Sequence, residues 1–122
     1  MPRLSTRKSG DEGEGIAKQH LVQLGLQIVE TNYHYGKSGE IDIVARDGDV
    51  LVFCEVKMRT NDEYGDPEFA ITRKKQLQIR RIAHAYLYER NIDDQECRFD
   101  VVAIKNYDNT PGPEINYIRN AF

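Results

Sequence analysis

Tryptophan is absent from this chain and cysteine nearly so, with only Cys54 and Cys97. Each sits in an apolar stretch, with no second cysteine or histidine at metal-ligand spacing. Reduced core thiols are therefore expected rather than a disulfide or a zinc site. Long apolar runs are missing: none approaches the ~18 residues of a membrane span. The first residues, Met1-Pro2-Arg3-Leu4-Ser5-Thr6-Arg7-Lys8, lack the apolar segment of a secretion signal. A cytoplasmic protein without a membrane partner is expected. Positive charge is not in excess either, since 17 Lys and Arg face 20 Asp and Glu for a net charge of −3. Whole-molecule attraction to nucleic acid is thus unavailable, and any such binding must come from a local patch. With no internal repeat or linker, the 122 residues suit one domain around one core.

What the chain does have is a hairpin with too much charge in it. Ile41 to Ala45 and Val50 to Met58 are rich in β-branched and apolar residues and flank Asp47-Gly48-Asp49, a strong turn signal. Both runs are apolar at odd and even positions alike, as in strands covered on both faces. Yet Asp42, Glu55 and Lys57 lie inside them. Glu55 and Lys57, two apart, share a face with Leu51 and Phe53. An even-length loop, pairing Arg46 with Asp49 or Asp47 with Val50, places Asp42 opposite Phe53 or Glu55 and on the same face as Glu55 and Lys57. Two carboxylates so close repel, and burying them unpaired costs several kcal/mol, so a cation is expected between them. Lys57 supplies one charge. A hard divalent ion such as Mg²⁺ is a natural second, because it takes one or two carboxylates and keeps waters or phosphate oxygens. The alternative is an internal ion-pair network of Asp42, Glu55, Lys57 and an arginine. Glu40, at the strand start with the parity of Asp42, is a secondary ligand candidate or a solvated acid.

Residues 1–9 are basic and polar and read as a flexible arm, leaving residues 10–122 as the single domain. From about Asp11 to Leu24 the spacing is helical, with Ile16, Ala17, His20, Leu21 and Leu24 as the apolar stripe and Gly25 at the stop. Glu14 belongs to that stripe and should face inward, an odd place for a carboxylate. A first-turn acid favoured by the helix dipole, or a pair with Lys18, would also account for it. Gln27 to Tyr35 alternates as a strand near a sheet edge. Its His34 is more often a surface or hydrogen-bonded group than a site residue in such a setting. After Lys57, residues 59–68 form a polar loop at the end of a site-bearing strand, with Tyr64 as a candidate base-stacking residue. Thr72 caps a helix running to about Arg90, with Lys75 at the start of its inward stripe. Arg73, Lys74, Lys75, Arg80 and Arg81 put five cations into nine residues with no acid among them. Together with Arg59 they are the candidate phosphate contacts, unless they merely pair with the acidic loop. Two strands close the chain, Glu96 to Lys105 and Glu114 to Arg119, with Phe122 expected in the core.

Asp42 followed thirteen residues later by Glu55-Val56-Lys57 resembles the Asp…Glu-x-Lys core of the PD-(D/E)xK, restriction-endonuclease-like nucleases. The surrounding blocks are more specific. Gly39-Glu40-Ile41-Asp42, Leu51 to Arg59, Arg98-Phe99-Asp100-Val101-Val102 and Asn120-Ala121-Phe122 together resemble the small bacterial family named after YraN, from about Gly10 to the end. The resemblance implies a mixed central sheet flanked by helices in the order α-β-β-β-α-β-β, and an α/β fold is what the element order itself argues. It further implies a metal-dependent endonuclease acting on DNA phosphodiesters, structured or branched DNA included. Asp42, Glu55 and the Val56 carbonyl would hold Mg²⁺ or Mn²⁺, Lys57 would act on the attacking water, and Glu14 would support a second metal or a water. A nucleic-acid-binding or partner-docking module that keeps the fold without the chemistry is the competing class. The oligomeric state is open, a homodimer included.

Overall fold

The computed structural model describes residues 2–60, 71–108 and 111–122, with side chains from Asp11 onward. Its elements run α1 (Pro2–Gln23), β1 (Gln27–His34), β2 (Glu40–Asp47), β3 (Val50–Arg59), α2 (Arg73–Glu89), β4 (Cys97–Lys105) and β5 (Glu114–Ile118). The five strands form one sheet in the order β1-β2-β3-β4-β5. β3 and β4 pair in parallel through the α2 crossover, and every other neighbouring pair is antiparallel. This is the mixed α/β arrangement, consistent with a restriction-endonuclease-like core, that the element order implies.

Local chemistry sets the element ends. Helix α1 begins at Pro2, so residues 2–9, expected as an arm, are continuous with it. Proline is tolerated at a first helical position, where its missing N–H would have no partner anyway. The helix stops in a Schellman turn: the Gly25 amide donates to Val22 O and the Leu26 amide to Leu21 O, both at 3.0 Å, with Gly25 at φ +97. The Thr72 hydroxyl accepts from the Lys75 amide at 3.1 Å and caps α2. The hairpin closes with Asp47 opposite Val50 and Gly48 at φ +60, where a type II′ turn favours glycine.

Because both faces of the sheet are covered, there are two apolar clusters. On one side Ala17 and Leu21 of α1 pack on Ile43, Ala45, Val52, Cys54, Val102 and Ile104. On the other, Ile79, Ile82, Ala83 and Tyr86 of α2 pack on Tyr33, Ile41, Val44, Leu51 and Phe53. Phe122 stacks on Phe99 with ring centroids 5.3 Å apart, tucking the C-terminus against the α2 side as the sequence suggests. Gly13 lets α1 close on β3, since a Cβ there would stand 3.2 Å from Met58 Cβ.

One departure from strand alternation matters for function. Ile43 and Ala45 pack on the α1 side, and Val44 on the α2 side, as parity requires. Ile41 should join Ile43 but packs with Val44 instead. β2 therefore rotates at Asp42. Its neighbour rotates with it: the β1–β2 register runs from Thr31 opposite Ile43 to Tyr33 opposite Ile41, and the intervening Asn32 takes φ +53. Asparagine is among the few side chains that adopt this conformation readily. A further register shift at Val29, between Ile28 and Glu30, breaks the simple alternation expected of β1.

Candidate metal centre

The β2–β3 ladder runs from Asp47 opposite Val50 to Ile43 opposite Cys54. One step further would bring Asp42 opposite Glu55, but there the strands part. The Val56 amide, which a paired strand would bond to main chain, donates instead to Asp42 Oδ2 at 2.8 Å. An amide of an extended strand points along the sheet plane, so the Asp42 carboxylate lies in the fork between the strands. It is held against Glu55, with which it shares a hydrogen bond.

Glu55 is 8% exposed, an acid among core residues. Burial first, and then the neighbouring Asp42 charge, raise its pKa from 4.5 to about 8, and a hydrogen bond with Asp42 adds to the shift. That direction favours the protonated form of Glu55 at neutral pH. Two lysines oppose the shift, Lys75 from the first turn of α2 more strongly than Lys57 from β3 itself. Glu14 of α1 reaches the same fork: burial and then Asp42 raise its pKa, while Asn32 Nδ2 donates to its Oε1 at 2.7 Å. Strands β2 and β3 and both helices thus contribute charged groups around Asp42.

The other candidates separate from this group to different degrees. Glu40 lies 3.2 Å from His34 at an exposed position, although its charge is felt at Glu14. Arg59 ends β3 opposite Lys105. Arg80 holds its guanidinium over the rings of Phe99 and Phe122, at 4.7 and 5.6 Å. Arg73, Lys74 and Arg81 are exposed on α2. Tyr64 falls outside the described residues.

Among the described residues no three acids, histidines or cysteines gather into a protein-only cage. Two carboxylates do converge, Asp42 and Glu55, beside the Val56 main chain. That fits a small hard cation that keeps most of its positions for water and phosphate, and does not fit structural zinc or calcium.

Two features were not singled out by the sequence. Asn32 positions Glu14 and marks the rotation; its one signal is an asparagine inside a β-rich run, where that residue is depleted. The other is a buried polar network on the α1 side. Asp100 is fully buried and accepts from Arg98 Nε at 3.0 and 3.1 Å, from the Asn120 amide at 2.9 Å and from the Tyr117 hydroxyl. Arg98 reaches on to Asp47 at 2.9 Å. Every oxygen of Asp100 is thereby satisfied, which suits a structural tie between β4, β5 and the hairpin turn.

Residues 13–104 match the family described as "Uncharacterised protein family UPF0102". This chain belongs to that family. UPF0102 relatives span nearly the same length. The UPF0102 protein of Acetivibrio thermocellus is 43% identical over 119 residues, covering 95% of this chain and 92% of the relative. That of Geotalea daltonii is 46% identical over 113 residues, covering 93% and 87%. That of Symbiobacterium thermophilum is 40% identical over 121 residues, covering 96% and 98%. The UPF0102 match takes in Glu14, Asp42, Glu55, Lys57 and Lys75, the whole fork. Among its described residues, no helix is long and apolar enough to cross a membrane.

Proposed function

We propose that this UPF0102 protein is a metal-dependent nuclease that hydrolyses DNA phosphodiester bonds at the fork between β2 and β3. The observation that carries this reading is the Asp42–Glu55 pair: two carboxyls held in contact, one nearly buried, with Lys57 and Lys75 close by. As a device for stability it is poor, because burying an acid against another acid costs more than an apolar pair of the same volume. As a site that exchanges the Glu55 proton for a cation, it is suited to its place.

Asp42, Glu55 and the Val56 carbonyl would hold Mg²⁺ or Mn²⁺, which when bound supplies Lewis acidity toward the phosphoryl oxygen and toward water. Lys57 orients the attacking water and neutralises charge growing on the phosphoryl oxygens. Lys75 adds a second cation and helps Glu55 give up its proton. Glu14, steered by Asn32, accepts a hydrogen bond from water on the α1 side of the fork. The water oxygen bonds to phosphorus as the ester P–O bond breaks, leaving one phosphate end and one hydroxyl end.

One observation favours a binding or docking module instead. Asp42 is already satisfied by the Val56 amide, and Glu14 by Asn32, without any metal. Incubation with duplex, nicked, single-stranded and branched DNA, with and without Mn²⁺, decides between them. The nuclease reading expects metal-dependent cleavage that Lys57→Ala reduces by 10²-fold or more, an order of magnitude typical for loss of one transition-state charge partner. Intact DNA on the whole panel supports the module.

A further inference from the structure

Helix α2 presents a cationic and aromatic surface on the side that faces away from the sheet. At 100° per residue, the buried Ile79, Ile82, Ala83 and Tyr86 define the inward side. Directly opposite lie Arg73, Lys74, Leu77, Arg81, His84 and Tyr88, and all six are exposed. Among the described residues, none of the three cations is held in an ion pair. The next acid, Glu89, takes the Tyr33 hydroxyl at 2.7 Å and is engaged toward β1. Tyr88 is 85% exposed, the most of any exposed large hydrophobic residue, and Leu77 is 51% exposed. The stripe spans about 22 Å at 1.5 Å per residue. Its first turn also carries Lys75, which faces the fork.

We propose that this face of α2 binds an unpaired DNA strand leading into the fork, so that the substrate is DNA with a single-stranded segment beside the scissile phosphate. The location of that phosphate rests on the nuclease reading above; the binding face does not. Charge selects a polyanion, because a chain of net charge −3 sets on one helix side three cations without an ion pair among the described residues. The exposed tyrosine selects the unpaired form. A duplex offers a helix its phosphates and groove edges, whereas a single strand also offers base faces on which an aromatic ring can stack. Arg73 and Lys74 hold phosphates nearest the fork, Arg81 holds one further along, and Tyr88 stacks a base at the far end.

The test is fluorescence anisotropy in the presence of a chelator, so that no cleavage is needed. The full-length protein is titrated against a single-stranded oligonucleotide and against the blunt duplex of the same sequence. Tyr88→Ala should weaken single-strand binding about 5- to 100-fold and change duplex binding less than about twofold, as loss of one base stack requires. Tyr88→Phe should bind like the parent. Arg81→Ala should weaken both and lower the single-strand salt slope by about 0.7. Because Tyr88 is exposed, unchanged melting of its variants is a built-in check. Equal weakening on both DNAs, no effect of Tyr88→Ala, or no DNA binding by the parent would each overturn the proposal. So would a dimer in sedimentation that Tyr88→Ala dissociates, which would assign the face to a second copy of the chain. Binding is read in chelator, without metal or cleavage, so the metal-site reading can fail without touching this one.

Discussion

The Val56 amide donates to Asp42 across 2.8 Å, and this bond spans the gap where β2 and β3 stop pairing. It turns one carboxylate into the plane of the sheet, against Glu55 and within electrostatic reach of Glu14. The position thus has a structural duty and a chemical one, and the two can be separated.

Asp42→Asn keeps an oxygen for the Val56 amide and removes the charge that opposes ionised Glu55. It should fold as stably as the parent or more so at pH 7, and should lose any melting-temperature increase caused by Mg²⁺ or Mn²⁺. Asp42→Ala abandons the amide and should cost about 1–3 kcal/mol in urea unfolding. If Asn and Ala were equally destabilising, the acid would be part of an ion-pair network and the fork would be structural.

The raised pKa of Glu55 gives stability a definite pH dependence. The folded protein keeps the proton up to about 8, whereas the unfolded chain loses it near 4.5. The folded state binds more protons in that window, so this contribution is full below about 4.5 and lost as pH rises through about 8. Glu55→Gln, which stays neutral, should flatten the decline and be the more stable protein at pH 9, by an amount on the order of a few kcal/mol. Parallel stability curves for the two proteins between pH 5 and 9 would contradict this.

Lys75 and Lys57 both favour ionised Glu55, and Lys75 does so more. Lys75→Met should therefore raise the Glu55 titration midpoint more than Lys57→Met does, as read by carboxyl-carbon NMR. The reverse order would place the α2 lysine outside the site.

Asp100 is buried with all its partners present. Arg98→Ala should leave that carboxylate uncompensated and cost about 3–5 kcal/mol, without a specific effect on metal binding. Arg80→Ala, which removes a cation from over Phe99 and Phe122, should cost about 0.5–1 kcal/mol and leave the single-strand salt slope close to that of the parent.

Much of this protein was legible because its signals are local. Gly25, Thr72 and the Asp47-Gly48-Asp49 turn each carry their structural instruction within a few residues, and strands apolar on both sides announced a sheet covered twice. Hairpin parity set Asp42 beside Glu55 and Lys57, and helix phase put Lys75 at the start of an inward stripe without aiming it at Glu55. The fork itself was not legible. Parity assumes an unbroken ladder, and the ladder is broken by a shift at Val29 and by Asn32 at φ +53, neither of which leaves a periodic trace. Arg80 could not be told from its cationic neighbours, because its partners Phe99 and Phe122 lie far along the chain. The Asp100 network joins Asp47, Arg98 and Tyr117, residues that only the folded sheet brings together.

On the proposed reading a divalent cation displaces the Glu55 proton at the fork, and calorimetric titration of the chelator-treated protein with Mn²⁺ reads that exchange. Run in buffers of different ionisation enthalpy, the titration counts protons released on binding. Release of close to one proton is expected at pH 7, falling toward zero above pH 8 as Glu55 ionises on its own, with no binding to Asp42→Asn or Glu55→Gln. Mn²⁺ binding that survives both substitutions, or no binding by the parent at any pH, would contradict it.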